Sequence, residues 1–338
     1  MSTGVHGQEF LKKHDLVQQT PHFVTASYLR VFGPDLKLLQ QRKVPFKLTD
    51  WKTFYYRLRS NFDGLISEYV PESPQKLPAE GSVTYETDKT VVDVSHHRTS
   101  GLTVTFQGDD GLSHSLHADL VIAADGANSS VRKLLFPKLD MPYSGYIIPG
   151  EHGNITPGER LLNIVWYYNC AEGSDEYNKI MTDIDGFRHK RTVPFGKLQP
   201  EVWVKQRDGH STHFPTPVKE VLDKIDSPFI TAISDCIAPQ ASFYEGKLFL
   251  VGDALALFRP HVAQSTNQAA LHCLLLERYL QGEITLATYE ERVQSYAHTT
   301  LLWSRDLGSE YMYGRMGQIY HKTRHQVARK AKGWGFRL

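Results

Sequence analysis

Cysteine is scarce in this sequence: Cys170, Cys236 and Cys273 stand alone, without a Cys-x-x-Cys pair. That argues against a disulfide framework and for a reducing compartment. No apolar run approaches the roughly 18 residues of a membrane-spanning helix. The first residues lack the apolar core of a secretory signal, and a formal net charge of +1 gives no electrostatic reason for nucleic-acid binding. We therefore expect a cytoplasmic protein without a transmembrane segment or a nucleic-acid partner.

Signatures of hydrolytic and metal-dependent catalysis are also missing. The chain has no Gly-x-Ser-x-Gly sequence and no pair of catalytic carboxylates. Two histidine pairs with i,i+3 spacing, His114 with His117 and His210 with His213, lack acidic or cysteine partners at ligand spacing, so no metal site is expected. With 338 residues, 41% hydrophobic and 22% charged, the chain has the composition of a globular protein of one large domain or two.

The most informative segment is an apolar strand, 247–251, that runs into Gly252-Asp253. Ligands of open α/β sheets bind at the carboxyl ends of strands, where an aspartate can accept hydrogen bonds from sugar hydroxyls. A glycine lets the backbone approach a ligand closely. A helix is predicted to open near Asn267, and helix N-termini favour anionic groups. The combination predicts a nucleotide cofactor, although an aspartate that only caps the turn is the simpler alternative.

A second segment has the same organisation. An apolar strand ends in Asp125-Gly126, and a helix with Arg132 in its first turn follows. Asp125 is a second candidate ligand carboxylate, and an exposed turn is the alternative. Arg132 either meets a phosphate or braces the motif.

Together these two segments resemble the FAD-dependent aromatic hydroxylases, monooxygenases with the p-hydroxybenzoate hydroxylase fold. The resemblance implies that Asp125-Gly126 touches the FAD nucleotide and the path of NAD(P)H, and that Gly252-Asp253 holds the ribityl chain. Within the family, Arg259-Pro260-His261 and the strand with Trp166-Tyr167 look most like the 2,6-dihydroxypyridine 3-monooxygenase branch.

The same resemblance implies a set of site residues. Ala263 and Ser265 stand where glycines usually sit against the flavin, so the pocket is expected to be narrower there. Asn267 is retained at the start of the helix. The cofactor-binding positions implied are Asp125, Gly126, Arg132, Gly252, Asp253, Pro260, Ala263, Ser265 and Asn267.

Substrate contacts are expected from aromatic side chains. Tyr143, Tyr146, Trp166 and Tyr167 are candidates to line an aromatic cavity, although aromatic residues also suit any β core. His261 is the candidate catalytic residue, because it is the titratable side chain placed to approach a substrate. The alternative is a loop histidine with an ordinary hydrogen bond.

The fold class predicted is mixed α/β: a FAD-binding Rossmann-like domain without its first βαβ unit, an inserted β-rich substrate domain and C-terminal helices. The expected boundaries are 1–140 with 244–300 for the FAD domain, 141–243 for the substrate domain, and 301–338 for a helix and basic tail. The expected helices are 8–20, one from Asp50 to a stop at Asp63-Gly64, 216–224, one from Asn267 to Gly282, and a pair over 288–326. The expected strands are 23–29, 36–39, 82–87, 90–94, 102–106 and 115–124.

The predicted function is that of a monooxygenase. The resemblance implies that NAD(P)H reduces FAD, that O2 forms a C4a-hydroperoxide, and that one oxygen passes to an aromatic, heteroaromatic or other electron-rich small molecule. However, the chain lacks the Gly-x-Gly-x-x-Gly turn that carries the FAD pyrophosphate in this family. A truncated gene product, or a shortened and inactive paralogue that serves as a binding or scaffold protein, is therefore the alternative.

Overall fold

The computed structural model describes residues 1–18, 23–32, 36–77, 81–97, 101–127, 129–135, 146–148, 154, 156, 159–168, 170–210, 214–233 and 235–333. The chain forms two compact units. The first comprises Met1–Thr25, Pro45–Val165 and Ser234–Leu338, and the second comprises Ala26–Val44 and Trp166–Ile233. The domain boundaries predicted from the sequence stay a prediction.

Helices and short strands alternate along the chain. The α-helices are α1 Val5–His14, α2 Trp51–Asp63, α3 Ser130–Leu135, α4 Asp175–Ile180, α5 Pro200–His210, α6 Thr216–Asp223, α7 Ser265–Leu280 and α8 Leu286–Gly333. The strands are β1 Ser2–Thr3, β2 Val24–Phe32, β3 Leu38–Leu48, β4 Thr90–His97, β5 Gly101–Gln107, β6 Ser113–Ala118, β7 Val121–Ala123, β8 Tyr146–Ile148, β9 Leu161–Asn163, β10 Thr192–Val193, β11 Ile230–Thr231, β12 Cys236–Ile237, β13 Ser242–Phe243, β14 Leu248–Leu250 and β15 Ala256–Leu257.

The sheet that organises the first unit has the order β13-β14-β7. β14 runs parallel to β7, with Leu248 opposite Val121 and Leu250 opposite Ala123, whereas β13 pairs with β14 in the antiparallel sense. Parallel strands end at the same edge of a sheet. The turns that follow β7 and β14, which carry the two sequence motifs, are therefore brought side by side.

The main hydrophobic core lies against this sheet. Phe249 in β14 is fully buried, and its ring meets that of Tyr289 edge-on, with centroids 5.2 Å apart. Tyr289, Val293 and Ala297 are also fully buried. Their spacing of four residues places them on one face of α8, so the helix packs on the sheet through an apolar stripe.

Local signals explain the ends of the well-predicted helices. The Asp50 side chain accepts a hydrogen bond from the Thr53 N–H at 2.9 Å and caps α2, which ends at Gly64 in the left-handed conformation (φ 76°). Likewise Gly282, at φ 74°, follows the end of α7. Both predicted stops are confirmed.

Other expectations need correction. Residues 82–87 form no strand: they are exposed and lie ahead of the antiparallel β4-β5-β6 sheet. The helix predicted at 8–20 covers Val5–His14 instead. The predicted C-terminal pair is a single helix, α8.

In the second unit, the helix predicted at 216–224 is confirmed as α6. The sequence pattern did not indicate the other two helices of this unit, α4 and α5.

Candidate functional site

The Gly-Asp motif forms a tight turn at the end of β14. Residues Gly252–Ala254 make one turn of 3-10 helix, and Gly252 has φ 57°, a left-handed value that favours glycine. A Cβ at Gly252 would also lie 3.4 Å from the Cβ of Ala269 in α7. The positive φ therefore explains the glycine, because the distance to Ala269 is an ordinary van der Waals contact. Asp253, at the tip of the turn, is half-buried.

The Asp-Gly motif forms a turn at the end of β7. The exposed Asp125 carboxylate accepts hydrogen bonds from the Ser129 hydroxyl at 2.5 Å and from the Val131 N–H at 3.2 Å, so it caps the start of α3. Gly126 has φ 72°, and a Cβ placed on it would meet no atom within 4 Å. The turn thus exposes backbone that another group can approach, while a direct nucleotide contact of Asp125 stays a prediction.

Arg132 joins the two motifs. Its guanidinium Nη1 donates to the carbonyl oxygens of Asp253 at 2.6 Å, Ala254 at 3.0 Å and Gly126 at 3.4 Å, and Nη2 donates to that of Ala127 at 2.5 Å. The residue is only 8% exposed. The structure shows the bracing role, because this buried cation ties the turn after β7 to the turn after β14. A contact of Arg132 with a phosphate of the cofactor stays a prediction.

The segment that follows the Gly-Asp turn leads into α7. Pro260–Val262 forms a 3-10 turn, and Ala263 has φ 53° and ψ 39°. The left-handed region costs an L-residue about 1–2 kcal/mol, so an alanine holds a conformation that suits glycine. Ser265 is the first residue of α7, and the preceding Gln264 makes no side-chain capping hydrogen bond to the helix. The first N–H groups of α7 thus retain their capacity to donate.

Asn267 has a role that the sequence did not reveal. Its Oδ1 accepts hydrogen bonds from the backbone N–H groups of His6 at 2.9 Å and Gly7 at 3.2 Å, at the start of α1. Its Nδ2 donates to the Tyr296 hydroxyl at 2.9 Å. Asn267 is buried and ties α1 and α8 to α7. Its predicted contact with the cofactor remains a prediction.

His261 makes an ordinary loop hydrogen bond. Its Nε2 donates to the backbone carbonyl of Ser304 in α8 at 2.6 Å. Burial lowers the pKa of His261 from 6.5 to about 4, so the ring is neutral at pH 7. This geometry is the one expected of a loop histidine with an ordinary hydrogen bond. A contact of His261 with a substrate stays a prediction.

The lowered pKa of His261 predicts acid sensitivity. The unfolded chain takes up a proton near pH 6.5, whereas the folded ring does so only near pH 4. The free energy of unfolding should therefore fall as the pH drops through this window, by up to about 1.4 kcal/mol per pH unit. Urea denaturation across the window should show a shallower dependence for His261→Asn than for the wild type. If the free energy of unfolding depends on pH equally in the two proteins, the His261 ring is not buried and neutral.

A buried charge cluster was missed in the sequence. Asp235 is 1% exposed and accepts from Arg259 Nε at 2.8 Å and from Arg305 Nη2 at 2.6 Å. Arg259 precedes Pro260, and its backbone N–H donates to the Ser304 hydroxyl at 3.2 Å. The cluster therefore fastens the loop before α7 to α8. No local signal marks Asp235, because its partners are distant in the sequence.

The predicted substrate residues are distributed over the structure. Tyr146 lies in β8, in the first unit, and Tyr143 lies outside the described residues. Trp166 and Tyr167 belong to the second unit and are half-buried; the Trp166 ring meets that of Phe214 edge-on, with centroids 5.2 Å apart. Their role toward a substrate stays a prediction.

Among the residues that the structure describes, no group of three or more His, Cys, Asp or Glu side chains could hold a metal ion. None of the helices in this part of the chain has the length and apolar character needed to cross a membrane.

The two turns and the start of α7 fit a dinucleotide such as FAD. Gly126 leaves open space where a Cβ would stand, Gly252 allows the left-handed turn at the end of β14, and the first N–H groups of α7 favour an anionic or electron-rich group. Asp253 supplies a half-buried carboxylate at the carboxyl end of a parallel strand.

Comparison with known proteins agrees with this geometry. The family model described as FAD binding domain-like matches residues 128–235. No curated protein matches the chain. The solved 2,6-dihydroxypyridine-3-hydroxylase from Arthrobacter nicotinovorans has a TM-score of 0.73 at 22% identity, over 93% of this chain and 83% of that one.

Two further solved structures have the same fold. PqsL from Pseudomonas aeruginosa, a probable FAD-dependent monooxygenase, has a TM-score of 0.59 at 13% identity, over 95% of this chain and 88% of its own. HpxO from Klebsiella pneumoniae, solved with FAD and uric acid, has a TM-score of 0.54 at 16% identity, over 98% and 83%. The predicted mixed α/β fold is confirmed: this chain has the fold of the FAD-dependent aromatic hydroxylases.

Proposed function

We propose that this protein is a FAD-dependent monooxygenase that consumes NAD(P)H and inserts one oxygen atom of O2 into an aromatic, heteroaromatic or other electron-rich small molecule. The observation that carries the proposal is the pairing of the Asp-Gly and Gly-Asp turns, which Arg132 fastens together at the ends of two parallel strands. The match of residues 128–235 to the FAD binding domain-like family supports it.

The residues at these turns would bind and orient the cofactor. Asp253 would accept hydrogen bonds from the ribityl hydroxyls, and the N–H groups at the start of α7 would stabilise negative charge on the flavin ring. Gly126 would allow close approach of the nucleotide. FAD, when bound, supplies the redox chemistry that activates O2. His261 would contribute no positive charge at pH 7, because its ring is neutral and its Nε2 proton is directed to the Ser304 carbonyl.

For substrate binding we propose aromatic side chains. Trp166 and Tyr167 present half-buried rings in the second unit, and Tyr146 is the third candidate. Aromatic rings stack on or meet the edges of planar ligands, which suits an aromatic or heteroaromatic substrate. The complex of the similar HpxO with uric acid, a heteroaromatic compound, supports this class.

We also propose a cytoplasmic location. Cys170, Cys236 and Cys273 are all free thiols, and Cys273 is exposed. Free thiols persist in reducing compartments. The cytoplasm also supplies the NAD(P)H that the proposed reaction consumes.

One observation favours a second candidate function. Ala263 holds a left-handed conformation at a position where the resemblance expects glycine, and a methyl group there would narrow the flavin pocket. A protein that uses this fold without FAD, as a binding or scaffold protein, is therefore the alternative.

Flavin content separates the two candidates. The purified chain is incubated with excess FAD and desalted, and its visible absorbance is measured. Near-stoichiometric yellow protein with NAD(P)H oxidase activity is expected. A folded but colourless protein would refute the monooxygenase and support the scaffold.

Asp253→Ala then tests the assigned ligand. Loss of a hydrogen-bonded carboxylate costs about 1.5–3 kcal/mol, so FAD affinity should fall by about 10-fold to 150-fold. The matched control is Asp109→Ala, because Asp109 is an aspartate with a largely exposed side chain in the turn between β5 and β6. Equal FAD affinity in the Asp253→Ala variant and the control would contradict the role of Asp253.

A further inference from the structure

His272 is a fully buried histidine of α7 that contacts the Gly-Asp turn. Its Nδ1 accepts a hydrogen bond from the backbone N–H of Gly252 at 2.9 Å. An accepting Nδ1 carries no proton, so the neutral ring must bear its proton on Nε2. Burial lowers the pKa of His272 to about 3, in agreement with a neutral ring.

A second side chain on the same face of α7 binds the carbonyl group of Gly252, which belongs to the next peptide unit. Gln268 lies one helical turn before His272 and is also fully buried. Its Nε2 donates to the carbonyl of Gly252 at 3.0 Å and to that of Ala256 at 2.7 Å. Both the donor and the acceptor of Gly252 are thus bound by side chains of α7, which fixes the orientation of the turn.

Packing alone does not explain a histidine here. Nε2 of His272 is buried and has no hydrogen-bond partner within the described part of the chain. An unpaired buried donor costs free energy that an aliphatic side chain of similar size would avoid. The presence of a histidine at this position is therefore explained by the hydrogen bond that its Nδ1 accepts, and not by the volume of the side chain.

We propose that His272 is a positioning residue that acts through Gly252 to orient the Asp253 carboxylate toward the FAD ribityl chain, and so sets the affinity for FAD. This inference rests on the proposed function, in which Asp253 binds FAD. His272 itself touches neither cofactor nor substrate. Because Gly252 is adjacent to Asp253, rotation of the peptide unit that carries the Gly252 N–H would change the direction of the backbone into Asp253 and redirect its carboxylate.

Two substitutions separate hydrogen bonding from packing. His272→Leu removes the acceptor and retains the bulk, and we expect FAD affinity to fall at least about tenfold. His272→Asn offers an amide oxygen close to the Nδ1 position, and we expect it to restore affinity to within about threefold of the wild type. Cys273→Ala, on the exposed side of the same helix, is the control and should bind FAD normally.

Hydrogen exchange of the full-length chain supplies a readout that does not depend on FAD. Peptides that cover 252–257 should exchange faster in His272→Leu than in the wild type or His272→Asn. If wild-type protein binds no FAD, the proposed function fails, while exchange in the apo variants still decides whether His272 holds the turn.

Unchanged affinity and exchange in His272→Leu would overturn the inference, as would an Asn variant as weak as the Leu variant. If His272→Leu does not fold, nitrogen NMR of histidine-labelled wild type decides the geometry. An unprotonated Nδ1 and a protonated Nε2 are expected for His272. The opposite tautomer would overturn the proposal.

Discussion

Arg132→Met is expected to lower the free energy of unfolding by about 3–5 kcal/mol and to abolish FAD binding. The buried guanidinium donates to four backbone carbonyls in the turns after β7 and β14. Methionine retains much of the volume but leaves these acceptors without donors, and each buried acceptor left unpaired costs about 1–3 kcal/mol before relaxation. Urea denaturation, combined with visible absorbance after incubation with FAD, measures both effects.

Two further variants test whether the hydrogen bonds of the Arg132 guanidinium cause this loss of stability. Arg132→Lys retains the charge but replaces the planar donor fork with one ammonium group, so most of the stability loss should remain. Arg278→Met removes an exposed arginine that pairs with Glu283 and should change stability by less than about 0.5 kcal/mol. A loss in Arg132→Met no larger than that in Arg278→Met would refute the bracing role.

Asp235→Asn is expected to cost about 2–4 kcal/mol of stability and to loosen the loop before α7. The substitution preserves shape but removes the charge that binds Arg259 and Arg305 in a buried position. The side chain of Arg259 is 21% exposed and that of Arg305 is 35% exposed. Because water partly solvates both arginines, the loss of stability should be smaller than for a fully buried ion pair. Urea denaturation gives the stability, and hydrogen exchange over 258–264 reports on the loop.

The control for this second variant is Asp185→Asn. Asp185 pairs with Lys197 on the surface, and the two side chains are 60% and 46% exposed. An exposed pair contributes about 0–1 kcal/mol, so this variant should be close to the wild type in stability. If both aspartate variants lose the same stability, the buried cluster does not hold the loop.

Local features of the fold were predictable. The strand that leads into Gly252-Asp253, the cap at Asp50 and the stop at Gly64 each depend on residues near one another in the chain. The sequence pattern predicted a pair of helices where the structure has the single helix α8, which continues through Gly308. A Cβ at Gly308 would stand 2.9 Å from Arg259 Nη1 and from His261 Cε1, so this glycine accommodates the loop and does not end the helix.

By itself the sequence determined the two turns, the ends of α2, α6 and α7 and the resemblance to the flavoprotein hydroxylases, since strands, caps and turns follow from neighbouring residues. Only the tertiary structure decided that Arg132 braces the turns, that Asn267 caps α1 and that His272 holds Gly252. Arg132 and Asp253 are 121 residues apart, and Asn267 and His6 are 261 apart. Hydrogen bonds over such separations leave no periodic pattern in a single sequence, because they form only when the sheet and α7 bring the partners together.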